Sequence, residues 1–274
     1  MKTHFVILSG PRSGSTAFRL WLNSHPLIRC HDEVLLTQEE AVDAITPFFR
    51  ARGYTFPYDN QSLALPNNPD IGRLLTDFID SLYSNPQHPA PWGRLDLKLI
   101  RRPIDGYDAE QAVGFKFMYY LLDNQLLGKW LDSGRVRIVH LVRDNLLKQY
   151  LSYMASKQRN LAHSESAVNS IRLTVDTGTL LQALTFLANG RQKIINRFNV
   201  AHCLQVSYEA FCNTPDDLAT RVSAFLDVDC ARLSAAPLKK LNSDYLPDLI
   251  ENYDDVARCL EGTPFQHMLG HIGS

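Results

Sequence analysis

The chain has little cysteine and uses it without pattern. Cys30, Cys203, Cys212, Cys230 and Cys259 are odd in number among 274 residues, and no two form a CxxC pair. That argues against a disulfide framework and a cysteine metal site, and predicts reduced thiols in a cytosol-like compartment. Excess charge is also missing: 28 Lys and Arg face 29 Asp and Glu, a net charge of −1. No basic field advertises nucleic acid as a partner. Long apolar runs are absent too. Phe5 to Leu8 is cut short by Gly10-Pro11-Arg12, too soon for a signal-peptide core, and nothing approaches the roughly 20 apolar residues of a membrane span. No internal repeat is visible. The expectation is a soluble, cytoplasmic protein without a transmembrane segment. At 45% apolar content it can bury the core of one globular domain spanning 1–274.

Strand and helix signals alternate along the chain. HFVILS (4–9) reads as a buried strand, and Thr16 to Ser24 as a helix stopped at His25-Pro26. LIRCHDEVL (27–35) predicts a short second strand running into a loop. Residues 38–91 carry mixed signals, with a helical patch near Glu39–Phe49 and then a stretch rich in Pro and Asn. They read as a variable loop-and-helix insertion. AVGFKFMYY (112–120) predicts a strand, and a helix through Trp130 follows, ended by Gly134. RVRIVHLV (135–142) predicts a central strand, after which Asn145 caps a helix reaching about Lys157. A long helix is expected over Val175–Phe198, a strand over HCLQVSY (202–208) and a helix over 215–228, opened by Pro and two Asp. The tail, 246–263, reads as a single amphipathic helix. Such alternation predicts an α/β fold, three layers with a mainly parallel central sheet, and ligands at the carboxyl ends of the strands.

The first chemical signal is Gly10-Pro-Arg-Ser-Gly-Ser-Thr16, between the first strand and the first helix. Backbone N–H groups at such a turn and the helix N-terminus make an anion cradle. A nucleotide triphosphatase loop, GxxxxGK[ST], has a Lys that reaches the β/γ-phosphates. Here the spacing is one residue shorter, Ser15 stands where that Lys belongs, and the positive charge sits at Arg12. A guanidinium offers a planar fork to phosphate or sulfonate oxygens, and Ser13, Ser15 and Thr16 add hydroxyls around Gly14. The plainer alternative is a polar turn capped by Ser15. The second signal is IVHLVRDNLLKQYLSY (138–153). It places Arg143 just past a strand end and Ser152 on the next helix, where both side chains can meet a second anion. Two such sites suit a nucleotide phosphorylated at both its 5′ and 3′ positions. The alternative is a surface Arg143–Asp144 pair and an ordinary helix serine.

Together these residues resemble a known family. Phe5 to Thr16 looks like the 5′-phosphosulfate loop, and Arg143 with Ser152 like the 3′-phosphate motif, of sulfotransferases that use 3′-phosphoadenosine 5′-phosphosulfate (PAPS). GPRSGST is most similar in wording to the bacterial carbohydrate branch, the trehalose-type and nodulation-factor-type enzymes. HPLIRCHDEVL, GFKFMYYLL, VSYEAFCNTPDDLATRVSAFLDV and DLIENYDDVARCLEGT extend the resemblance over most of the chain outside 38–91. It implies a P-loop-like three-layer α/β/α fold and PAPS as co-substrate, with no metal. Three departures stand out. Some members have one position fewer between the Arg and Ser of the 3′ motif. Lys116-Phe117-Met118 stands where the cytosolic eukaryotic branch has Lys-x-His. The Gly-rich C-terminal motif of that branch is missing, so the resemblance leaves Lys239-Lys240 to supply its charge.

Sulfuryl transfer needs a group that takes the acceptor's proton and donors that stabilise the departing phosphate oxygen. The trehalose-type enzymes use a Glu after the second strand, which the resemblance matches to Glu33. His31 and Asp32 sit beside it, so the triplet stays open, a solvated turn being the alternative; three adjacent residues seldom converge on one metal ion. Lys116 is expected to stabilise the transferring sulfonate, against an exposed strand-end lysine. Tyr208 is expected beside the adenine, against a core tyrosine. His140, between Val139 and Leu141, reads as a core histidine. The candidate site is therefore Glu33, Lys116 and Arg12 for chemistry. Arg12, Ser13, Gly14, Ser15, Thr16, Arg143, Ser152, Tyr208 and Lys240 are left for PAPS. The expected reaction is sulfuryl transfer to a hydroxyl or amine of a small-molecule, carbohydrate or glycolipid acceptor. Oligomeric state stays open, a homodimer included. The alternatives are a kinase with a degenerate P-loop and a non-catalytic nucleotide-binding protein on the same fold.

Overall fold

A computed structural model describes residues 2–33, 35, 45–53, 69–84, 110–159, 172–233 and 245–270. Five strands form one sheet: β1 (Thr3–Ser9), β2 (Ile28–His31), β3 (Ala112–Met118), β4 (Arg137–Val142) and β5 (Cys203–Ser207). Their order is β2-β3-β1-β4-β5, and every pairing is parallel. Parallel neighbours require crossovers, which the helices supply. These are α1 (Ser15–Leu22), α2 (Ile45–Arg50), α3 (Pro69–Ser84), α4 (Gln125–Asp132), α5 (Leu146–Arg159), α6 (Thr177–Arg197), α7 (Tyr208–Asn213) and α8 (Pro215–Leu226).

Side chains alternate across the sheet, and each face has its own core. Val6, Leu8, Val113, Phe115 and Phe117 pack with Phe48 and Phe49 of α2, Leu75 and Phe78 of α3 and Trp130 of α4. On the other face Phe5, Ile7, Val139 and Leu141 pack with Phe18 and Trp21 of α1 and Leu218 and Val222 of α8. With strands covered on both sides, continuous apolar runs are what the sequence needs there, and each buried Leu, Ile or Phe contributes about 1.5–3 kcal/mol. The three-layer α/β/α arrangement expected from the sequence is the one found, with all five described strands parallel.

One tight point in this packing is Gly114, the register partner of Phe5. A Cβ there would lie 2.6 Å from the Phe5 ring. Gly114→Ala is expected to overpack the sheet and lower stability by about 1–3 kcal/mol, read as a fall in the midpoint of denaturant unfolding.

Several local expectations hold. Gly134 has φ 70 just after α4, Asn145 Oδ1 accepts from the Lys148 N–H at the start of α5, and Asp176 caps α6. The tail differs. It is two short helices, α9 (Leu246–Leu249) and α10 (Tyr253–Leu260), with a break between them. Ile250 forms a parallel bridge to Leu173, and the Asn252 amide bonds the Val175 N–H and C=O. Those distant partners override the local helical period. Both helices join α5 and α6 in a third apolar cluster. Within the 38–91 stretch the described part contains α2, which overlaps the helical patch expected near Glu39–Phe49, and the 16-residue α3, which the sequence reading did not mark as a helix. Among the described residues, no helix is long and apolar enough to cross a membrane.

Candidate active site

β1 lies between β3 and β4, while the chain itself goes next to β2, beyond β3. Where the strand order changes direction in this way, α/β sheets bind ligands at the carboxyl ends of the strands. Gly10 to Gly14 follow β1, Asp32 and Glu33 follow β2, Lys116 lies near the end of β3, Arg143 follows β4 and Tyr208 follows β5. Five widely separated segments thus deliver the residues singled out from the sequence to one edge.

The loop after β1 is shaped by two left-handed residues, Arg12 at φ 61 and Gly14 at φ 88. No side chain caps α1 and no acid lies in its first turn, so the positive end of that helix is left to the loop. Ser13 is buried, and its Oγ has no hydrogen-bond partner among the described residues. A buried hydroxyl without a partner is costly unless a ligand supplies one. Gln149 of α5 braces the loop by donating from Nε2 to the Pro11 carbonyl at 2.8 Å. Tyr119 supports it from below, its ring 3.3 Å from where a Gly10 Cβ would stand.

Arg12 reaches across to the second motif, its Nε donating to Ser152 Oγ at 3.2 Å. Burial, and then the neighbouring Arg143 charge, lowers the proton affinity of the Arg12 guanidinium from its usual value. Two cations held this close favour an anion between them. The Arg143 guanidinium lies 5.0 Å from the centre of the Tyr208 ring. Tyr208 in turn covers Gly14, whose hypothetical Cβ would fall 2.2 Å from Tyr208 Cδ2. Glu209 fixes the Arg143 turn, its carboxylate accepting from the N–H groups of Asp144 at 2.9 Å and Asn145 at 3.3 Å.

The three residues of His31-Asp32-Glu33 are placed in three different ways. His31 is buried; burial, helped by the Arg29 and Arg19 charges, drops its pKa to about 3 and keeps the ring neutral. Asp32 bonds Lys116 Nζ at 2.9 Å and Arg19 Nη2 at 3.2 Å, and accepts from the Glu33 N–H at 3.0 Å. Burial works against its charge, but Lys116 and then Arg19 outweigh it and lower Asp32 to about 2. Glu33 Oε1 meets Lys116 Nζ at 2.7 Å, with the Glu33 side chain 22% exposed.

Lys116 itself is 2% exposed, so it is not the exposed strand-end lysine of the plainer alternative. Besides the two carboxylates, Nζ donates to Thr16 Oγ1 in the first turn of α1, at 3.2 Å. Burial penalises the ammonium, yet Asp32 and Glu33 hold its pKa above the usual lysine value. The site therefore presents a guanidinium pair over an anion loop and, beside it, an ammonium between a helix N-terminus and a partly open carboxylate.

His140 is buried and neutral, its pKa lowered to about 4 by burial and then by Arg191; its Nε2 pairs with the Tyr119 hydroxyl at 2.5 Å. Lys240 and most of 38–91 lie outside the described residues. The sequence reading passed over Arg19, Gln149, Tyr119 and Glu209. For Arg19 a signal existed, a lone charge within the apolar stretch Phe18 to Leu22 of α1. Among the described residues no cluster of three His, Cys, Asp or Glu could hold a metal ion.

No protein-family model matches the chain, and no curated protein matches it. Solved structures similar in outline include the following three. A sulfotransferase from Alicyclobacillus acidocaldarius is 18% identical with a TM-score of 0.48, over 95% of both chains. The sulfotransferase domain from the curacin biosynthetic pathway is 14% identical with a TM-score of 0.45, over 98% of this chain and 95% of that one. The sulfotransferase domain from the Synechococcus PCC 7002 olefin synthase is 17% identical with a TM-score of 0.44, over 96% of this chain and 90% of that one.

Proposed function

We propose that this protein is a sulfotransferase that moves the sulfuryl group of PAPS to a hydroxyl or amine of a small-molecule, carbohydrate or glycolipid acceptor. The observation that carries this reading is the Arg12–Ser152 hydrogen bond, with Arg143 close enough to weaken the hold of Arg12 on its proton. It joins a loop suited to a 5′-phosphosulfate to a motif suited to a 3′-phosphate. ATP chemistry fits less well, because Ser15 stands where a P-loop lysine would contact the β/γ-phosphates.

In this reading the amides of Ser13 to Thr16, with Arg12, hold the 5′ end of the donor. Arg143 and Ser152 hold the 3′-phosphate, Tyr208 flanks the base, and Lys240 adds charge over the nucleotide. The acceptor oxygen attacks sulfur in line, and a new O–S bond forms as the S–O bond to the 5′-phosphate breaks. Glu33 takes the acceptor's proton, and the 3′,5′-bisphosphate PAP leaves with the charge on its phosphate oxygen. Arg12, Lys116 and the α1 amides stabilise the oxygens that gain charge, as preorganised donors do. No metal is required for these steps.

The test is the comparison of PAP with AMP by calorimetry. PAP engages both anion sites and AMP only one, and charge-assisted contacts contribute about 1.5–3 kcal/mol each, so PAP is expected to bind at least about tenfold tighter. Arg143→Ala should remove most of that preference while leaving the melting temperature unchanged. Equal affinity for PAP and AMP in the unmodified protein would refute the reading.

A further inference from the structure

Lys116 occupies an unusual place for a lysine, inside a sheet and facing α1. Its stem is flexible and its ammonium costly to bury, so the position of Nζ depends on the anchors around it. Asp32 is the busier of the two carboxylates: Oδ1 takes Lys116 and the Glu33 N–H, while Oδ2 takes the buried guanidinium of Arg19. Glu33 offers Lys116 one oxygen. Among the described residues, the other titratable groups nearby leave this balance alone. His31 is neutral, Arg29 is paired with Glu110 at 2.9 Å, and the Tyr120 hydroxyl holds its proton more firmly because of burial and then the Glu33 charge.

We infer that Arg19 and Asp32 are positioning residues, which hold the Lys116 ammonium between Thr16 and Glu33 so that it serves the transferring group without neutralising Glu33. The inference rests on the roles given to Lys116 and Glu33 under the proposed function. Without the Asp32 charge, the ammonium has Glu33 as its remaining anionic anchor and closes on it. Without Arg19, Asp32 draws Lys116 away from Glu33 and from the anion loop. Both changes misplace one group by a short distance, and a displacement of about 1 Å can cost about 10²-fold in rate.

The experiment follows release of PAP from PAPS by the full chain with water as acceptor. The water oxygen bonds to sulfur as Glu33 takes its proton, the S–O bond to PAP breaks, and sulfate and PAP are the products. Asp32→Asn is expected to slow release about 10²-fold with PAP affinity unchanged, since Arg12, Arg143 and Ser152 are untouched. In a Lys116→Met background the same Asp32→Asn change should cost almost nothing, because the group it positions is gone. Arg19→Gln should slow release and Arg19→Lys should restore most of it. An equal loss from Asp32→Asn in both backgrounds, or none in the parent background, overturns the inference. Asp32→Glu keeps the charge but moves it by one methylene, and serves if Asp32→Asn does not fold; full rate in that variant also overturns it. A parent protein that releases no PAP from PAPS removes the proposed function and this inference together. An active parent with unresponsive variants removes only the inference.

Discussion

Under the proposed function, Glu33→Gln is expected to lower sulfuryl transfer by about 10²–10⁴, the usual worth of a general base, and to leave PAP affinity intact. Glutamine nearly keeps the shape of the side chain and can still accept from Lys116 Nζ, but it cannot take a proton. An acceptor found by mass spectrometry from a panel of sugars, lipids and small polar metabolites serves for the kinetics, and calorimetry for PAP. The neighbours supply the contrast. Asp32 is committed to Lys116 and Arg19, and His31 is buried with a pKa of about 3, so His31→Ala should leave most of the turnover in place. Near-normal turnover in Glu33→Gln, with loss in His31→Ala, would move the base to His31.

Gly14→Ala is expected to weaken PAP binding by about 10²-fold or more. Two costs combine. At φ 88 an L side chain is strained by about 1–3 kcal/mol, and the new Cβ would overlap the Tyr208 ring, which must move or push the loop aside. Tyr208→Ala in the same chain separates them, because it removes the overlap and leaves the backbone strain. The double variant should bind PAP better than Gly14→Ala alone but worse than Tyr208→Ala. If Gly14→Ala binds PAP normally, the loop after β1 does not hold the donor.

The parts of the fold legible in the sequence were those governed by local pattern. β1 and β4 are continuous apolar runs because both sheet faces are covered, and Asn145 was readable as a cap from its position alone. The loop residues and Arg143 were legible because each sits at the junction of a strand and a helix, where the topology collects ligand groups. Non-local pairing hid the rest. Lys116 was named from its place at a strand end, but its partners were not legible there, since the register of β2 beside β3 is what brings Asp32 and Glu33 to it. Arg19 gives no sign of its partner, since Asp32 follows the next strand. The tail kept a helical period on paper, yet Leu173 and Val175 claim Ile250 and Asn252 for pairings that no local window contains.

The strand order also sets a schedule for synthesis. β1 leads into the Gly10 to Gly14 loop and lies at the centre of the sheet, yet its partners begin at Ala112 in β3 and Arg137 in β4. At the usual 5–20 residues per second, the first strand waits roughly 5–25 s for a neighbour, with an apolar edge exposed on either side. Pairings this distant in sequence make for slow folding after release as well. A chain that stops before β3 therefore leaves Phe5 to Leu8 without a sheet to join, and such fragments are material for aggregation or proteolysis rather than for partial function.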